Sequence, residues 1–164
     1  MPISVRPAER GDVPALVRLR LANAERHIQL APGIYRRPDP EAVRKHFAEV
    51  VEDGSKVLIS VAEAAGEVVG MAEVVLLAAP PDHQILIPRR AADIHTVVLD
   101  GHRGSGVGAA LVTAAEQAAA ARGISILYAG IFAQNKDAVG FYSASGFGPR
   151  GILLSKEHRA SPAG

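Results

Sequence analysis

The chain has 164 residues, of which 48% are hydrophobic and 21% charged, so it is long enough to bury one core and too apolar for a disordered chain. A formal net charge of +1 gives no field that would attract nucleic acid or a membrane surface, and the absence of cysteine excludes disulfides and thiolate chemistry. No apolar stretch has the length of a signal-peptide core or a membrane span, which together with the missing cysteines favours a cytoplasmic protein. We expect a single domain over residues 1–157 and a frayed tail over residues 158–164.

The first half of the chain predicts a strand, two helices and a hairpin. Residues 3–8 (ISVRPA) alternate apolar and polar side chains, as a half-buried strand does. A helix capped by Asp12 follows, with apolar residues at helical spacing, and a second amphipathic helix stops at Gly54. Residues 56–81 are rich in β-branched side chains and predict two strands joined by a turn at residues 65–67.

The second half of the chain continues with strands and helices in alternation. Residues 92–99 (ADIHTVVL) predict a strand that runs directly into a glycine-rich stretch, and a helix follows from Gly106 to Arg122. Residues 124–132 predict the next strand, Ala138 to Ser145 a short helix, and residues 147–157 one or two closing strands. The order of these elements predicts a mixed α and β fold.

Three glycines stand within five residues where that strand meets the following helix, in the sequence RGSGVG (residues 103–108). The first N–H groups of a helix have no intrahelical partner, and the helix dipole adds partial positive charge, so such a junction can hold a phosphate. Glycine allows the backbone to approach the anion closely, and Arg103 adds a cation. The same stretch is also compatible with a tight turn that binds nothing.

Two familiar phosphate motifs fit this stretch poorly. The P-loop requires a lysine where Val107 stands, so that motif is absent. Residues 104–109 (GSGVGA) match the dinucleotide fingerprint, but that fingerprint also needs an acidic residue at the end of the next strand. The corresponding segment LYAGIF (residues 127–132) contains none, so a dinucleotide is not favoured.

A third pattern combines two separate segments of the chain. RGSGVG contains Arg-x-x-Gly-x-Gly, and NKDAVGFYSASGF (residues 135–147) contains an Asn, an Ala, an aromatic-Tyr pair and a Gly-Phe pair. Together they resemble the signature of the GNAT superfamily of acyl-CoA N-acyltransferases. The resemblance extends upstream into DIHTVVLDGHRG and, in element order, over nearly the whole chain. It implies a GNAT-like fold of the α+β or α/β class, with a mixed, bent central sheet of six to seven strands flanked by about four helices.

The resemblance also implies that acetyl-CoA is the cosubstrate. In the family the pantetheine arm lies in a gap between two splayed strands, and the pyrophosphate lies on the glycine loop. A strand N–H near Val98 or Leu99 would then be the oxyanion donor. The cofactor positions implied are Val97, Val98, Leu99, Arg103, Gly104, Ser105, Gly106, Val107, Gly108, Ala109, Asn135 and Tyr142. An ordinary buried strand stays the alternative for TVVL (residues 96–99), because the contacts implied there are made by the backbone.

The chemistry implied is direct attack of a substrate amine on the acetyl carbonyl, for which a base must remove a proton from the amine. His95 and Asp93 are the candidate bases, on the register that ends the strand at Leu99 and turns both toward the site. Tyr142 resembles the family's general acid, which protonates the departing thiolate, and Asn135 would orient it or bind the pantetheine arm. Each residue has a structural alternative. His95 is otherwise a satisfied core or surface histidine and Asp93 a solvated strand end. Tyr142 is otherwise a core aromatic and Asn135 a helix cap.

The acceptor is the least determined part of the function. Glu73 and Asp93 suit a cationic amine, whereas the arginines of two loops suit an acidic amine or are simply solvated. These arginines are Arg26, Arg36, Arg37, Arg89 and Arg90. Three functions stay open: an N-acetyltransferase of small amines, a transferase acting on a protein N-terminus or lysine, and a non-catalytic acyl-CoA-binding regulator. The histidines have no metal-ligand spacing, so no metal is expected. A homodimer is compatible with the sequence, and nucleic acid and membrane partners are not expected.

Overall fold

The computed structural model describes residues 2–159, in which helices cover both faces of one mixed sheet. Its five strands lie in the order β1-β2-β3-β4-β5, and all neighbours are antiparallel except β4 and β5. They are β1 (Ile3–Pro7), β2 (Val57–Ala64), β3 (Glu67–Leu76), β4 (Ala91–Val98) and β5 (Ile126–Tyr128). The helices are α1 (Val13–Leu30), α2 (Pro40–Asp53), α3 (Val107–Ala121) and α4 (Lys136–Ala144), and a short 3-10 turn at Arg10–Asp12 precedes α1.

Local chemistry explains where several of these elements begin and end. Asp39 caps α2, because its carboxylate accepts a hydrogen bond from the Ala42 N–H at 3.0 Å. Gly54 ends α2 in the left-handed conformation, at φ 63°. The turn between β2 and β3 consists of Ala65 and Gly66, both at positive φ, as the favoured two-residue hairpin turn requires. The predicted helix stop and the predicted hairpin are therefore confirmed.

The sheet separates two apolar layers. On one face, α1 and α2 bury Leu16, Leu19 and Phe47 completely. On the other face, α3 buries Val107 and Leu111. Burying such a side chain contributes about 1.5–3 kcal/mol, so these two layers fix the helices against the sheet.

Strand β4 contributes side chains to both apolar layers, and only the first part of its β5 edge is paired. Ile94 and Val98 pack in the α3 layer, whereas Val97 packs with α1 and α2. Residues Ala91 to Asp93 pair with β5, and beyond them β4 has no partner on that side in the described chain. The two parallel strands therefore separate, as the family resemblance implied.

The number of strands in the described chain is smaller than expected. We expected six to seven, but residues 147–157 form no strand. Ile152, Leu153 and Leu154 suggested one, yet they are 87–97% exposed. These apolar side chains therefore do not pack on the sheet, and the strand prediction for this segment was wrong. The end of the predicted frayed tail, residues 160–164, lies outside the described residues.

An ion cluster fastens β1 to β2 and to the start of α1. The Arg6 guanidinium donates to both carboxylate oxygens of Asp12, at 2.8 and 3.0 Å, and to Glu63 Oε1 at 2.6 Å. Asp12 is buried, and its carboxylate also accepts a hydrogen bond from the Glu9 N–H at 2.7 Å. The hydrogen bonds from Arg6 hold the pKa of Asp12 below its ordinary value, despite the opposing effect of burial.

Candidate active site

A cavity of about 560 Å³ opens where β4 and β5 separate. One wall consists of the C-terminal half of β4, the glycine loop and the start of α3, and the opposite wall of residues 130–132 together with Asn135 and α4. The third wall is one face of α1 together with Met71 and Glu73 of β3. The cavity therefore reaches through the gap in the sheet and touches both layers.

The open edge of β4 presents backbone groups to this cavity. The ladder between β3 and β4 continues as far as a hydrogen bond from the Leu99 N–H to the Val69 carbonyl, at 2.9 Å. Because backbone groups alternate in direction along an antiparallel ladder, those of Ile94, Thr96 and Val98 point away from β3. The Ile94 N–H lies at the last pairing with β5, so the groups of Thr96 and Val98 are the ones that face the gap, which a linear amide-bearing molecule could fill.

The register of β4 determines which backbone groups of the predicted cofactor edge are available. Regular strand β4 ends at Val98, one residue earlier than predicted, although Leu99 makes one more ladder hydrogen bond. The backbone groups of Val97 and Leu99 point toward β3, so Val98 alone of the three predicted positions turns its backbone groups to the gap, although Val97 also lines the cavity. The Leu99 N–H is occupied and is not an oxyanion donor. The Val98 carbonyl accepts a hydrogen bond from Arg103 Nε at 3.3 Å.

The glycine loop uses its glycines in two ways. Gly104 and Gly106 have φ of 75° and 89°, in the left-handed region that other residues rarely adopt. Gly108 is instead a close-packing position, because an added Cβ would lie 2.8 Å from the Phe141 ring. The first two glycines thus shape the loop, and the third lets α3 and α4 approach each other.

The N-terminus of α3 points free donors toward the cavity. The first hydrogen bond of the helix runs from the Ala110 N–H to the Gly106 carbonyl, at 3.0 Å. The preceding N–H groups of Val107, Gly108 and Ala109 have no partner in the described part of the chain. Together with the helix dipole they form a site suited to an anion.

Most of the predicted loop positions line the cavity: Arg103, Gly104, Gly106, Gly108 and Ala109. Ser105 does not, and its hydroxyl donates to the His102 carbonyl within the loop. The Val107 side chain is buried in the α3 layer, so only its backbone N–H is available there.

Tyr142 of α4 reaches the open edge of β4. Its ring is buried and makes edge contacts with Phe141 and Phe147, at centroid distances of 5.0 and 5.3 Å. Its hydroxyl donates a hydrogen bond to Thr96 Oγ1 at 3.1 Å. Burial raises the pKa of Tyr142, and the hydrogen bond with Thr96 only partly opposes this. The phenol is therefore neutral at physiological pH.

Asn135 caps α4 and also lines the cavity. Its side-chain oxygen accepts a hydrogen bond from the Ala138 N–H at 3.3 Å, which is the structural alternative considered for this residue. The side-chain amide N–H groups of Asn135 have no partner in the described chain. Asn135 makes no hydrogen bond to Tyr142 there, so it acts on that residue only by fixing the start of α4.

A buried ion pair stands in the wall formed by α1. Glu73 is 3% exposed, and the Arg20 Nη2 group donates to its two carboxylate oxygens at 2.9 and 3.0 Å. The same guanidinium lies over the Phe47 ring, 5.0 Å from its centroid. The charge of Glu73 is thus balanced within the protein.

The two candidate bases are placed differently. His95 lies directly opposite Glu73 on the neighbouring strand, on the sheet face that carries α1, and its exposed side chain lines the cavity. Asp93 lies two residues earlier, opposite Val75 and beside Tyr128, where β4 and β5 are still hydrogen-bonded. Asp93 is not part of the cavity lining, so the structure brings His95 and not Asp93 to the site.

An aromatic bridge crosses the acceptor side of the cavity. Tyr35, in the loop between α1 and α2, makes edge contacts with His27 at 4.8 Å and with Phe132 at 5.8 Å between ring centroids. His27 Nδ1 lies 2.9 Å from the Asn23 carbonyl oxygen. Because a carbonyl can only accept, Nδ1 carries a proton and Nε2 is the open ring nitrogen. The bridge links α1 to the segment after β5.

A family model described as the acetyltransferase (GNAT) family matches residues 22–147. The chain belongs to the GNAT acetyltransferase family. The matched region contains the glycine loop, the open strand edge and Tyr142, which confirms the resemblance on which the sequence interpretation depended.

Solved structures have the same fold as this GNAT chain. A mutant of the BH1408 protein from Bacillus halodurans matches with a TM-score of 0.85 and 20% identity, over 95% of this chain and 99% of that one. The aminoglycoside N-acetyltransferase AAC(6')-Iy, solved with a bisubstrate analogue of CoA and acetylneamine, has a TM-score of 0.74 and 19% identity, over 98% and 100%. Glucosamine-6-phosphate N-acetyltransferase from Arabidopsis thaliana has 0.67 and 20%, over 97% and 100%. Among curated proteins none matches significantly.

The family resemblance assigns the acceptor to the first two helices, their connection over residues 26–42 and the loop before β4, but few individual residues of this wall were identified from the sequence. The cavity-lining residues of α1 that were not singled out are Arg20, Asn23, His27 and Leu30, and from other elements Tyr35, Thr96 and Phe132 also line it. The three-and-four spacing of the α1 residues marks one helical face, a signal that was present in the sequence. Among the five loop arginines, Arg26 alone lines the cavity, and Arg89 instead donates to the Ser125 carbonyl.

The described residues of this GNAT domain contain neither a candidate metal cluster nor a helix that could span a membrane. They contain no cluster of three His, Asp or Glu side chains placed to hold a metal ion. None of their helices combines the length and apolarity needed to cross a membrane.

Proposed function

We propose that this chain transfers the acetyl group of acetyl-CoA to a primary amine of a small molecule, by direct attack in a ternary complex. The observation that carries the proposal is that one cavity borders the α3 anion site, the open edge of β4, Tyr142 and the polar face of α1. A molecule with a pyrophosphate at one end and a thioester at the other fits these groups in their order along the cavity, from the α3 anion site to Tyr142.

The residues suit acetyl-CoA segment by segment. The free N–H groups of Val107, Gly108 and Ala109, with Arg103 at the rim, suit the pyrophosphate. The two amides of the pantetheine arm suit the backbone groups of Thr96 and the N–H of Val98, which have no strand partner on that side in the described chain. The thioester would then lie beside Tyr142, where the cavity meets the acceptor wall.

In the proposed reaction the amine nitrogen attacks the acetyl carbonyl, a C–N bond forms, and the carbonyl oxygen becomes an oxyanion. We assign the Val98 N–H as its donor, because it faces the gap and has no partner in the described chain. Collapse of the intermediate breaks the C–S bond and expels the CoA thiolate. The proton lost by the amine goes to His95, directly or through water, because its imidazole lines the acceptor side.

Tyr142 stabilises the departing thiolate as a hydrogen-bond donor. A phenol whose pKa is raised by burial stays protonated throughout the neutral range. Ordinary thiols titrate near about 8.5, below a phenol, so complete proton transfer from Tyr142 to sulfur is uphill. Donation of a hydrogen bond without full transfer avoids this cost and still lowers the barrier. To reach the sulfur, the hydroxyl must exchange its bond to Thr96 for one to the thiolate.

The shape of the acceptor side favours a small molecule over a protein substrate. The contacts of Tyr35 with His27 and Phe132 cross this side of the cavity and join α1 to the segment after β5. An extended peptide would need an open groove between the loop that carries Tyr35 and the segment that carries Phe132. The presence of a neutral phenol and an imidazole in the lining also favours catalysis over binding alone.

A panel of primary amines with acetyl-CoA, read by release of free thiol, tests the proposal. We expect amine-dependent thiol release for at least one class of small amine. A panel that includes peptides with free N-termini and lysines separates the two transferase functions. Acetyl-CoA binding by calorimetry without thiol release from any amine would support the non-catalytic alternative.

A further inference from the structure

The charges on the acceptor wall do not cancel. The one carboxylate on the deep part of this wall, Glu73, is neutralised by Arg20 through two short hydrogen bonds. Arg26, further along α1, also lines the cavity but has neither a carboxylate nor a hydrogen-bond partner among residues 2–159. A guanidinium directed at a cavity without a partner is a favourable site for an anion.

Arg26 stands where the main cavity meets a smaller one of about 290 Å³. The smaller cavity is also lined by Lys136 and Asp137, at the start of α4. These two exposed side chains contribute opposite charges, so Arg26 leaves this end of the acceptor wall with a net positive charge. The N-terminus of α4 adds partial positive charge on the same side.

We propose that the acceptor amine carries an anionic group, a carboxylate or a phosphate, and that Arg26 binds this group. The inference deepens the proposed function and rests on it. Arg26 binds the anion at the outer end of the cavity, and the amine reaches inward to the thioester past the Arg20–Glu73 pair. A polycationic amine finds little compensation here, because the two carboxylates of the cavity linings are Glu73, paired with Arg20, and Asp137, whose charge Lys136 offsets.

The position of Arg26 also sets the length of the acceptor. Arg20 and Arg26 are six residues apart on α1, which corresponds to about 9 Å along the helix axis. Arg20 is bonded to Glu73, and His95 lies opposite Glu73, so Arg20 lies at about the same depth in the cavity as the proposed base. The anionic group is therefore separated from the reacting nitrogen by several bonds, so an ω-amino acid or an amino-sugar phosphate fits better than an α-amino acid.

Matched pairs of amines test the inference in the full chain. The pairs are 6-aminohexanoate with 6-aminohexanamide, and glucosamine 6-phosphate with glucosamine, with glycine and neamine as further probes. We expect the anionic member of at least one pair to have a kcat/KM about tenfold or more above its neutral partner. The two pairs distinguish a carboxylate from a phosphate. Equal or higher kcat/KM for the neutral member of both pairs overturns the inference.

Variants of two arginines distinguish binding of the anionic group by Arg26 from a general effect of removing one positive charge. Arg26→Gln should raise KM for the anionic amine by about tenfold and leave kcat for that amine within about twofold of the parent. The kcat/KM of the neutral amine should also stay within about twofold. Arg26→Lys should keep part of the preference. Arg36→Gln is the matched control, because Arg36 is exposed on the loop after α1 and outside both linings. An unchanged preference in a folded Arg26→Gln variant would contradict the role of Arg26.

A binding measurement keeps this inference separable from the proposed function. Calorimetric titration of each amine pair into protein saturated with CoA does not depend on turnover. Preferential binding of the anionic member, lost in Arg26→Gln, supports the anion site even when no acetyl transfer occurs, and in that case the proposed function alone fails. Transfer to amines with no anion preference in either assay leaves the proposed function intact and refutes this inference.

Discussion

The Tyr142 hydroxyl on α4 donates a hydrogen bond to Thr96 Oγ1 on β4 across 3.1 Å, at the level where the sheet opens. This contact joins the helix that carries the proposed thiolate donor to the strand whose free edge faces the cofactor gap. It fixes a buried phenol at the position where the C–S bond would break.

Tyr142→Phe should lower kcat by about tenfold or more and leave acetyl-CoA affinity within about twofold, because it removes an interaction that forms only as the thiolate leaves. Steady-state rates and calorimetric titration of the purified variant measure the two effects. Loss of one buried hydrogen bond should cost about 1 kcal/mol of unfolding free energy.

Two controls accompany this variant. Tyr128→Phe removes a phenol hydroxyl outside the cavity and should leave kcat unchanged. Thr96→Val removes the ground-state partner of Tyr142, so kcat should fall less than in Tyr142→Phe, and Thr96→Ser should restore it. An unchanged kcat in Tyr142→Phe, with chemistry shown to limit the rate, would mean that the ring only packs.

Gly106→Asp should abolish measurable acetyl-CoA binding, because it places a like charge at the free N–H groups of α3. An added Cβ at Gly106 meets no atom within 4 Å, so the variant should fold. Gly54→Asp is the matched control, since Gly54 also has a positive φ and open space but caps the distant end of α2. Both changes should cost about 1 kcal/mol of stability, and calorimetry should find lost affinity only at Gly106.

Acetyl-CoA affinity within about threefold of the parent in folded Gly106→Asp would rule out the glycine loop as the pyrophosphate site. Gly106→Asn separates charge from bulk. If charge repulsion dominates, the Asn variant should retain more affinity than the Asp variant.

His95→Ala should reduce kcat at pH 7 by about tenfold or more, because it removes the imidazole that lines the acceptor side and accepts the amine proton. Asp93→Asn is the control for a change on the same strand, and it should leave kcat unchanged because Asp93 lies outside the cavity. A parent-like kcat in folded His95→Ala would mean that water, and not His95, accepts the proton.

Asp12→Asn should lower the unfolding free energy at pH 7 by about 1–3 kcal/mol, because it breaks the charged hydrogen bonds from Arg6. Arg6 lowers the pKa of Asp12 in the folded chain, so this stabilisation is present above the unfolded pKa. It is lost as pH falls through the lower, folded pKa. Urea unfolding of parent and variant from pH 7 to pH 2 should therefore show two curves that converge in acid.

The exposed pair of Arg44 and Glu41 is the control for that experiment. Glu41 also has a pKa below its ordinary value because of its hydrogen bonds with Arg44, but the pair lies on the surface of α2. Glu41→Gln should change stability little at any pH, because solvent screens an exposed pair. A large effect of Glu41→Gln together with none for Asp12→Asn would contradict the assignment of the buried cluster.

The elements that carry the candidate site and depend on local sequence were predicted well. The junction of β4, the glycine loop and α3 follows from strand patterning, glycine conformations and a helix start, all encoded within about 30 contiguous residues. The segment with Asn135 and Tyr142 has its own short pattern. The sequence could not reveal that Tyr142 meets Thr96, because 46 residues separate the two and only tertiary packing joins them.

The acceptor wall and the sheet edge were predicted less well for a related reason. The pair of Arg20 and Glu73 joins positions 53 residues apart, and neither local sequence pattern predicts the contact. The apolar run at residues 152–154 had the composition of a strand, but composition alone does not supply a pairing partner, and the three side chains are exposed rather than packed on the sheet. The ladder register, which decides whether Val97 or Val98 faces the gap, likewise depends on a partner strand.

A mass balance of one reaction is the decisive measurement for acetyl transfer by this chain. Purified protein is mixed with acetyl-CoA and an amine that supports thiol release, and free CoA and N-acetylated amine are both quantified by mass spectrometry. We predict equal amounts of the two products, no thiol above background without the amine, and parallel loss of both in Tyr142→Phe and Gly106→Asp. Release of CoA that does not depend on the amine, or binding of acetyl-CoA with no N-acetylated product from any amine, would contradict direct acetyl transfer.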